Sequence, residues 1–256
     1  MKPTVEITSQ RGNKALLYKE DGLAVVRDGA VIDAVITDPP YIITHVGGGG
    51  GIFGVGGPKA NNKIASNDTT LLTIRDGYDI KENLAAWLLA GAKNVVCYCS
   101  NDQVVPTVLE MQAQGMSTTI CVWHKFNAPP MVNFTFVPDI EYFIVGRLLS
   151  SDGNEAYFNN DTPAAYKTRC KREPMCTERR WHPTAKPVKL LRQHIEVLCP
   201  PDGWVFDPFG GSGSGAIAAL EAGRNVIACE NDTVMPGCFD RMVEEVGLAA
   251  SQRNLF

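Results

Sequence analysis

The 256-residue sequence lacks the features of a membrane-spanning or exported protein. Its first residues form no apolar stretch of the kind found at the centre of a signal peptide. No apolar run approaches the roughly 20 residues that are needed to span a bilayer. Most of the eight cysteines lie in apolar, strand-like runs, which is typical of buried free thiols. We therefore expect a soluble, cytoplasmic protein without a membrane partner.

The sequence also shows no pattern typical of a metal site. Cys170 and Cys176 are the only cysteine pair in a polar stretch, and no second pair or histidine tract completes a zinc site. We find no internal repeat and no nuclease motif. With 45% hydrophobic and 20% charged residues, the chain has the composition of an ordered α/β domain rather than of a disordered polypeptide.

Basic residues are concentrated in one stretch of a chain whose net charge is −4. Between Lys167 and Arg192 there are nine basic residues and only two acidic ones. A run of like charges is usually a solvated face, but this density favours a surface that contacts phosphates. The residues predicted to bind nucleic acid are Lys167, Arg169, Lys171, Arg172, Arg179 and Arg180.

Short apolar runs alternate with helical patterns, which predicts a mostly parallel sheet. The predicted strands are 34–38, 94–100, 117–125, 139–147, 204–207 and 225–230, and the predicted helices are 82–92, 101–114, 188–198, 215–223 and 239–246. Residues 150–180 are polar and weakly periodic, so we interpret them as an insertion between a first half at 1–149 and a second half at 181–256 of the same domain.

One tetrapeptide, Asp38-Pro39-Pro40-Tyr41, directly follows a predicted buried strand. In open parallel sheets, ligands bind beyond the carboxyl ends of strands, so this segment is a candidate active site. The prolines fix the backbone and remove two N–H donors, which leaves carbonyls, a carboxylate and an aromatic ring. That set suits a planar ring that bears an amino group. The glycine-rich segment 47–57 that follows is expected to be either a disordered surface loop or a lid that becomes ordered on substrate, and its position next to the tetrapeptide favours the lid.

A second turn, at residues 207–215, also follows a predicted strand and opens a helix. Its glycines permit a tight turn and a close approach of a ligand to backbone amides. Glu230 ends the next predicted strand, where an acidic residue can accept both hydroxyls of a ribose. Together, these features indicate a site for a ligand that contains adenosine.

The order of these motifs resembles the amino-methylating DNA methyltransferases of the β arrangement, in which D-P-P-Y precedes F-x-G-x-G. Three further stretches are similar to motifs of that family: His182–Pro187 to H-P-T-x-K-P, Trp123–Lys125 with Pro129-Pro130 to W-x-K…P, and Asp139–Tyr142 to D-x-E-Y. The resemblance implies a Rossmann-like, mostly parallel seven-stranded sheet with an antiparallel last strand, and a short target-recognition insertion at 150–180.

The resemblance also implies S-adenosylmethionine (SAM) as the methyl donor. The catalytic residues would then be Asp38, Pro39, Pro40 and Tyr41. Residues beside the methionine part of SAM would be Asp207, Phe209, Gly211 and Gly213, with Glu230 at the ribose. Thr184 and Lys186 would shape the pocket, and Asp21 would face the adenine, although Glu20 is equally available.

The resemblance leaves the methylated base open between two exocyclic amines. Asp38 at the first motif position favours N6 of adenine, with the base rotated out of the duplex, over N4 of cytosine, where serine is commoner. A DNA-binding protein without catalysis and a nicotinamide-dependent oxidoreductase are further alternatives. The first does not account for intact motifs, and the second leaves D-P-P-Y and H-P-T-A-K-P unexplained.

The last five residues, 252–256, resemble a Q-x-x-L-F peptide with which bacterial replication proteins bind the sliding clamp. In this interpretation Leu255 and Phe256 enter a hydrophobic pocket, and the amide of Gln252 sets the register. The alternative is that both apolar residues pack back on the domain.

Overall fold

The computed structural model describes residues 1–41, 78–128, 136–149, 155–176, 181–182, 184–233 and 235–251. Several sequence predictions concern residues outside these ranges: the glycine-rich segment, Pro129-Pro130, Arg179, Arg180, Pro183 and the C-terminal pentapeptide. Those predictions stay predictions.

Nine strands and six α-helices are formed by the described residues. The strands are β1 (Val5–Thr8), β2 (Lys14–Tyr18), β3 (Ala34–Thr37), β4 (Asn94–Cys99), β5 (Met116–His124), β6 (Ile140–Leu148), β7 (Cys170–Arg172), β8 (Trp204–Asp207) and β9 (Asn225–Cys229). The helices are α1 (Gly22–Arg27), α2 (Ile80–Leu89), α3 (Asn101–Ala113), α4 (Val188–Leu198), α5 (Ser214–Glu221) and α6 (Cys238–Ser251). A 3₁₀ helix spans Ala164–Lys167.

All nine strands belong to one sheet in the order β1-β2-β9-β8-β3-β4-β6-β5-β7. The seven inner strands, from β2 to β5, form the predicted Rossmann-like, mostly parallel arrangement. The antiparallel inner strand is β6, which runs against both of its neighbours, and not the last strand of the chain, since β9 is parallel to β2 and β8. The prediction of seven strands was too low, because β1 adds an antiparallel edge to β2 and β7 adds a parallel edge to β5.

The sequence analysis did not predict the edge strands β1 and β7 or the inner strand β2. All three lack the continuous apolar pattern on which the strand predictions rested. β1 alternates between exposed and partly buried residues. β2 begins with an exposed lysine. β7 has three residues and lies within the basic stretch, so residues 170–172 of the predicted insertion are part of the sheet.

Helices cover both faces of the sheet. On one face, α4, α5 and α6 bury side chains such as Leu190, Ile217 and Phe239. On the other face, α1, α2 and α3 contribute Val25, Trp87 and Met111 to a second apolar cluster. The helices predicted from periodicity end within a few residues of the observed bounds, except that α6 extends beyond the predicted 239–246, and α1 was not predicted.

The topology places two turns next to each other. β3 lies between β8 and β4 and is parallel to both, with Ala34 opposite Val205 and Val35 opposite Phe206. All residues of β3 and β4 are buried, as expected for central strands of a parallel sheet. The turns that follow β3 and β8 therefore emerge side by side at the same edge of the sheet.

Among the described residues, no helix is long and apolar enough to cross a membrane. The same residues contain no group of three or more His, Cys, Asp or Glu side chains that could hold a metal ion. All eight cysteines are free, and six of them are buried.

Candidate active site

Asp38 and Asp207 lie at the carboxyl ends of the adjacent strands β3 and β8. Thr37, the last residue of β3, links the two turns because its Oγ1 donates a hydrogen bond of 3.1 Å to Oδ1 of Asp207. The structure thus brings together the two motifs that are far apart in the chain, at the edge of the sheet where ligands bind in this class of fold.

The glycine-rich turn after β8 is organised by two carboxylates. Oδ1 of Asp207 accepts the amide of Phe209 at 3.3 Å, and Oε2 of Glu230 accepts the amide of Gly211 at 3.0 Å. Gly211 and Gly213 have φ angles of +48° and +77°, a backbone region that favours glycine. Burial raises the pKa of Asp207 to about 7 and also raises the pKa of Glu230.

The start of α1 packs against this turn. A Cβ atom on Gly22 would lie only 2.4 Å from Cβ of Pro208, so only a glycine permits the close approach. Asp21 precedes it and caps α1, accepting the amides of Leu23 at 2.9 Å and Ala24 at 3.3 Å. Asp21 is therefore near the turn but has a structural role in the helix.

Two aromatic residues flank the same turn. The ring of Tyr78 meets Phe209 edge-on, with 5.4 Å between the ring centroids, and its hydroxyl lies 3.0 Å from Sγ of Cys97. Across the turn, Nε2 of His182 would be 3.0 Å from a Cβ on Gly211. Burial, together with the positive charge of Lys186, lowers the pKa of His182 to about 4, so the imidazole is neutral at pH 7. Thr184 is exposed, with Oγ1 3.5 Å from Nδ1 of His182.

Lys186 lies in the catalytic turn rather than against the cofactor turn. Its side chain is 5% exposed, and its ammonium contacts Oδ2 of Asp38 in a short ion pair. The same nitrogen lies 2.7 Å from Oε1 of Glu141 and donates to the Tyr41 hydroxyl at 3.3 Å. Two carboxylates therefore hold the Lys186 ammonium beside the catalytic turn, and the expectation that Lys186 also shapes the SAM pocket stays a prediction.

Glu141, on β6, connects these groups with Lys125. Its Oε1 accepts a short hydrogen bond from the Tyr41 hydroxyl, and its Oε2 lies 2.8 Å from Nζ of Lys125. Two carboxylates and two ammonium groups thus meet around one tyrosine. We call this set the carboxylate–lysine cluster; its members are Asp38, Tyr41, Lys125, Glu141 and Lys186.

The charges of the cluster compensate one another. Burial acts against ionisation of Glu141, but Lys186 and Lys125 outweigh it and lower the pKa of that carboxyl. Burial acts against the charge of Lys186, but Asp38 and Glu141 raise the pKa of its ammonium. Burial raises the pKa of Asp38, and Lys186 only partly opposes that effect.

One oxygen of Asp38 has no hydrogen-bond partner among the described residues. Oδ1 is buried and accepts nothing, whereas Oδ2 is bound to Lys186. The neighbouring Pro40 carbonyl accepts a hydrogen bond of 3.1 Å from Nε2 of Gln103, in the first turn of α3. Asp38 is therefore held in a fixed orientation with a free acceptor.

A family model described as DNA methylase, for N6- and N4-methylating enzymes, matches residues 32–234. The chain belongs to this family of DNA methylases. It is therefore an amino-methylating DNA methyltransferase, as the motif order predicted, and SAM is its cofactor. The glycine turn with its two acidic side chains fits a ligand that carries a ribose and a positive charge.

Curated relatives agree with this assignment. A segment of 51 residues is 51% identical to the putative methylase YubD of Escherichia coli K12, covering 20% of this chain and 22% of that protein. Over 221 residues, the methyltransferase is 22% identical to the type II methyltransferase M2.LlaDCHI of Lactococcus lactis subsp. cremoris, covering 78% of each chain.

Solved structures show the same fold. The structure of M1.HpyAVI in complex with SAM superposes with a TM-score of 0.62 at 21% identity, covering 91% of this chain and 98% of the other. The cytosine-N4-specific PvuII DNA methyltransferase gives a TM-score of 0.64 at 13% identity, covering 100% and 90%. These likenesses confirm the predicted α/β methyltransferase fold.

Four residues around the methyltransferase's site had no role assigned from the sequence. Glu141 and Lys125 lie in stretches that resemble family motifs, so the signal existed, but nothing indicated that they would meet Lys186. Tyr78 and Gln103 had no sequence signal, because each is placed by a contact between distant segments.

The predicted DNA-binding residues that the structure describes differ in their exposure to solvent. Lys167, Arg169 and Arg172 are exposed. Lys171 is only 3% exposed, and its ammonium donates to the carbonyls of Ala165 and Tyr166. Burial lowers the pKa of Lys171 to about 8. The prediction for Lys171 is therefore wrong, because its side chain faces the interior beneath the 3₁₀ helix.

Proposed function

We propose that this methyltransferase transfers the methyl group of SAM to N6 of adenine in DNA, with the target base rotated out of the duplex. The observation that carries the proposal is the buried, unpartnered Oδ1 of Asp38 beside the cofactor turn. Leaving a buried acceptor without a donor costs about 1–3 kcal/mol, more for a charged group. An amino group on a base would supply the missing donor.

The chemistry of an exocyclic amine explains why an acceptor is needed there. The lone pair of such a nitrogen is delocalised into the ring, so the amine is a poor nucleophile. Hydrogen bonds from its two N–H groups to Asp38 and to a carbonyl of the Pro39-Pro40 pair would localise the lone pair on nitrogen. SAM, when bound, supplies a methyl group already activated by a sulfonium. The protein's task is then positioning and electrostatics.

Tyr41 is suited to hold the base. Its hydroxyl is fixed by Glu141 and Lys186, so the ring has a defined orientation on which a base can stack. Burial raises the pKa of Tyr41 well above its ordinary value, which keeps the phenol neutral. A base within a duplex cannot reach such a site, because its amine is paired and stacked, and rotation of the nucleotide removes both obstacles.

The cofactor residues are proposed around the second turn. Asp207, Phe209, Gly211 and Gly213 would lie beside the methionine part of SAM. Glu230 would accept the ribose hydroxyls, since each of its oxygens can accept a further hydrogen bond. Thr184 and Asp21 remain candidates at the edge of this pocket.

N4 of cytosine is the second candidate, and the fold likeness to the cytosine-N4-specific PvuII enzyme keeps it open. Both targets are exocyclic amines that the same acceptors would serve. Asp38 at the first motif position favours adenine, because the family resemblance associates aspartate there with adenine and serine with cytosine.

The product identifies the base. The protein is incubated with radiolabelled SAM and unmethylated genomic DNA, and the digested nucleosides are separated by chromatography. We expect label in N6-methyldeoxyadenosine, and none with Asp38→Ala. Label in N4-methyldeoxycytidine would overturn the choice of base. No label from a folded protein that binds SAM, on DNA of diverse sequence, would count against the assignment of the site.

A further inference from the structure

We propose that Glu141 is a positioning residue for methyl transfer: it engages the Lys186 ammonium and the Tyr41 hydroxyl so that Asp38 keeps Oδ1 for the target amine. This inference rests on the proposed function, because it assumes that Oδ1 of Asp38 accepts a hydrogen bond from the amino group of the target base.

The argument begins with the number of N–H donors on Lys186. An ammonium group has three donors and no acceptor. In the structure, Nζ has three oxygen partners: Oδ2 of Asp38, Oε1 of Glu141 and the Tyr41 hydroxyl. Every donor is therefore assigned, and none remains for Oδ1 of Asp38, in agreement with the unpartnered state of that oxygen.

Glu141 supplies one of these three oxygen partners, so that each N–H donor of Lys186 has an acceptor. Without its carboxylate, one N–H of Lys186 would be released next to Asp38. Lys186 is almost fully buried, so water offers that donor little compensation. The unpartnered Oδ1 belongs to the carboxylate that Lys186 already contacts, and is an acceptor for that donor. Lys186 would then occupy both oxygens of Asp38 and compete directly with the base.

Glu141 also fixes the tyrosine. The Tyr41 hydroxyl donates to Oε1, so the loss of Glu141 would leave a partly buried hydroxyl without its acceptor. Glu141 is itself anchored by Lys125, whose Nζ lies 2.8 Å from Oε2, and by the sheet, where β6 pairs it with Trp123 of β5. Because it lies on a strand paired with β5 and is bound to Lys125, Glu141 can act as a rigid support for the side chains of Lys186 and Tyr41.

Charge gives an independent consequence. Glu141 raises the pKa of Asp38 and Lys186 lowers it, so removing each should move the ionisation of Asp38 in opposite directions. Other titratable groups that interact electrostatically with Asp38 are Tyr41 of the same turn, Cys97, Tyr98 and Cys99 of β4, and Asp207 of β8. Burial raises the pKa of the tyrosines and cysteines further from neutrality, which leaves Asp207 as the group whose contribution must be separated.

Two substitutions at Glu141 separate its acceptor from its charge. Glu141→Gln keeps an oxygen that can accept from Lys186 and removes the charge, whereas Glu141→Met removes both at similar length. The matched control is Glu82→Met on α2, since Glu82 is a half-exposed residue paired with Arg27 at 2.8 Å. Initial rates at saturating SAM and DNA give kcat as a function of pH, and an Asp207→Asn profile identifies any limb due to Asp207.

We expect Glu141→Met to lower kcat by on the order of 10²-fold, as for a misplaced reacting group, with the KM for SAM within a few-fold of wild type. Glu141→Gln should lose less. In the plot of kcat against pH, the acidic limb should move to lower pH in both Glu141 variants and to higher pH in Lys186→Met. The profile of Glu82→Met should match that of wild type.

A folded Glu141→Met with near-normal kcat, or an acidic limb that stays in place in both Glu141 variants, would overturn the inference. If Glu141→Met does not fold, the position of the acidic limb in the pH profile of Glu141→Gln alone tests the inference. An inactive but folded wild type that binds SAM would instead refute the proposed function, and the inference with it.

Discussion

Affinity for SAM should depend on pH through Asp207, and the dependence can be worked from the structure. The carboxyl is buried between Thr37 and the start of α5, where burial raises its pKa from 3.8 to about 7. SAM carries a positive sulfonium, so we expect it to bind the form in which Asp207 is ionised.

The size of the effect follows from the ionised fraction. With a pKa of about 7, roughly a tenth of the free protein has Asp207 ionised at pH 6 and roughly nine tenths at pH 8. If binding requires the carboxylate, SAM affinity rises by about tenfold between these values, or about 1.4 kcal/mol. At pH 6, binding should release close to one proton.

Isothermal titration calorimetry in buffers of different ionisation enthalpy measures both quantities. Asp207→Asn should bind SAM more weakly and with a flatter pH dependence. His182, with a pKa of about 4, does not titrate in this window. Glu230→Gln tests the other acidic side chain of the turn. A wild-type Kd that is equal at pH 6 and pH 8, without proton release, would refute the coupling of Asp207 to the cofactor.

The same shift has a consequence for stability. Because the folded protein holds the Asp207 proton more tightly than the unfolded chain does, Asp207 contributes stability that is lost as pH rises through the folded pKa of about 7. Without SAM, Asp207→Asn should therefore lose less stability than wild type between pH 6 and pH 8, which thermal denaturation at both values would test.

Three further predictions concern the target base and the DNA. Asp38→Ala should lower kcat by at least about 10²-fold, as for a lost preorganised partner, while calorimetry shows SAM affinity within a few-fold of wild type; near-normal turnover would refute its role. Tyr41→Ala should lose more activity than Tyr41→Phe, and 2-aminopurine at the target should brighten when wild type binds; tight binding without brightening would argue against base rotation. Arg169→Gln and Arg172→Gln should each lower the slope of log DNA affinity against log salt concentration by roughly one unit. Lys171→Gln should leave this slope unchanged and lower the melting temperature. If all three variants had the same slope, the DNA surface would lie elsewhere.

The sequence was most informative where one local pattern determines the structure. The apolar runs of β3, β4, β8 and β9 are buried on both faces, so their composition alone indicates central strands. The motifs that follow β3 and β8 sit where a parallel sheet exposes its ligand edge. Their adjacency depends on the strand order, which periodicity does not indicate and which the structure supplies.

The rest of the site depends on contacts between distant segments. Lys186 and Glu141 meet because the residues before α4 lie next to the start of β6, and no local pattern encodes that contact. The basic stretch shows the opposite problem: composition suggested a uniform surface, but β7 alternates its side chains, so Lys171 points inward while Arg172 points outward. A membrane-free, cytoplasmic location and clamp binding through residues 252–256 stay predictions.

The inward orientation of Lys171 also affects whether β7 can pair with a strand of another copy of the chain. β7 forms one edge of the sheet, and an edge strand exposes backbone groups that can pair with another chain. β7 is three residues long and carries a lysine that faces inward, with its ammonium bound to carbonyls of the 3₁₀ helix. A short strand with an inward-facing charge is a poor template for an added strand. A residue that resembled a DNA contact in the sequence thus makes β7 a poor strand for pairing with another chain.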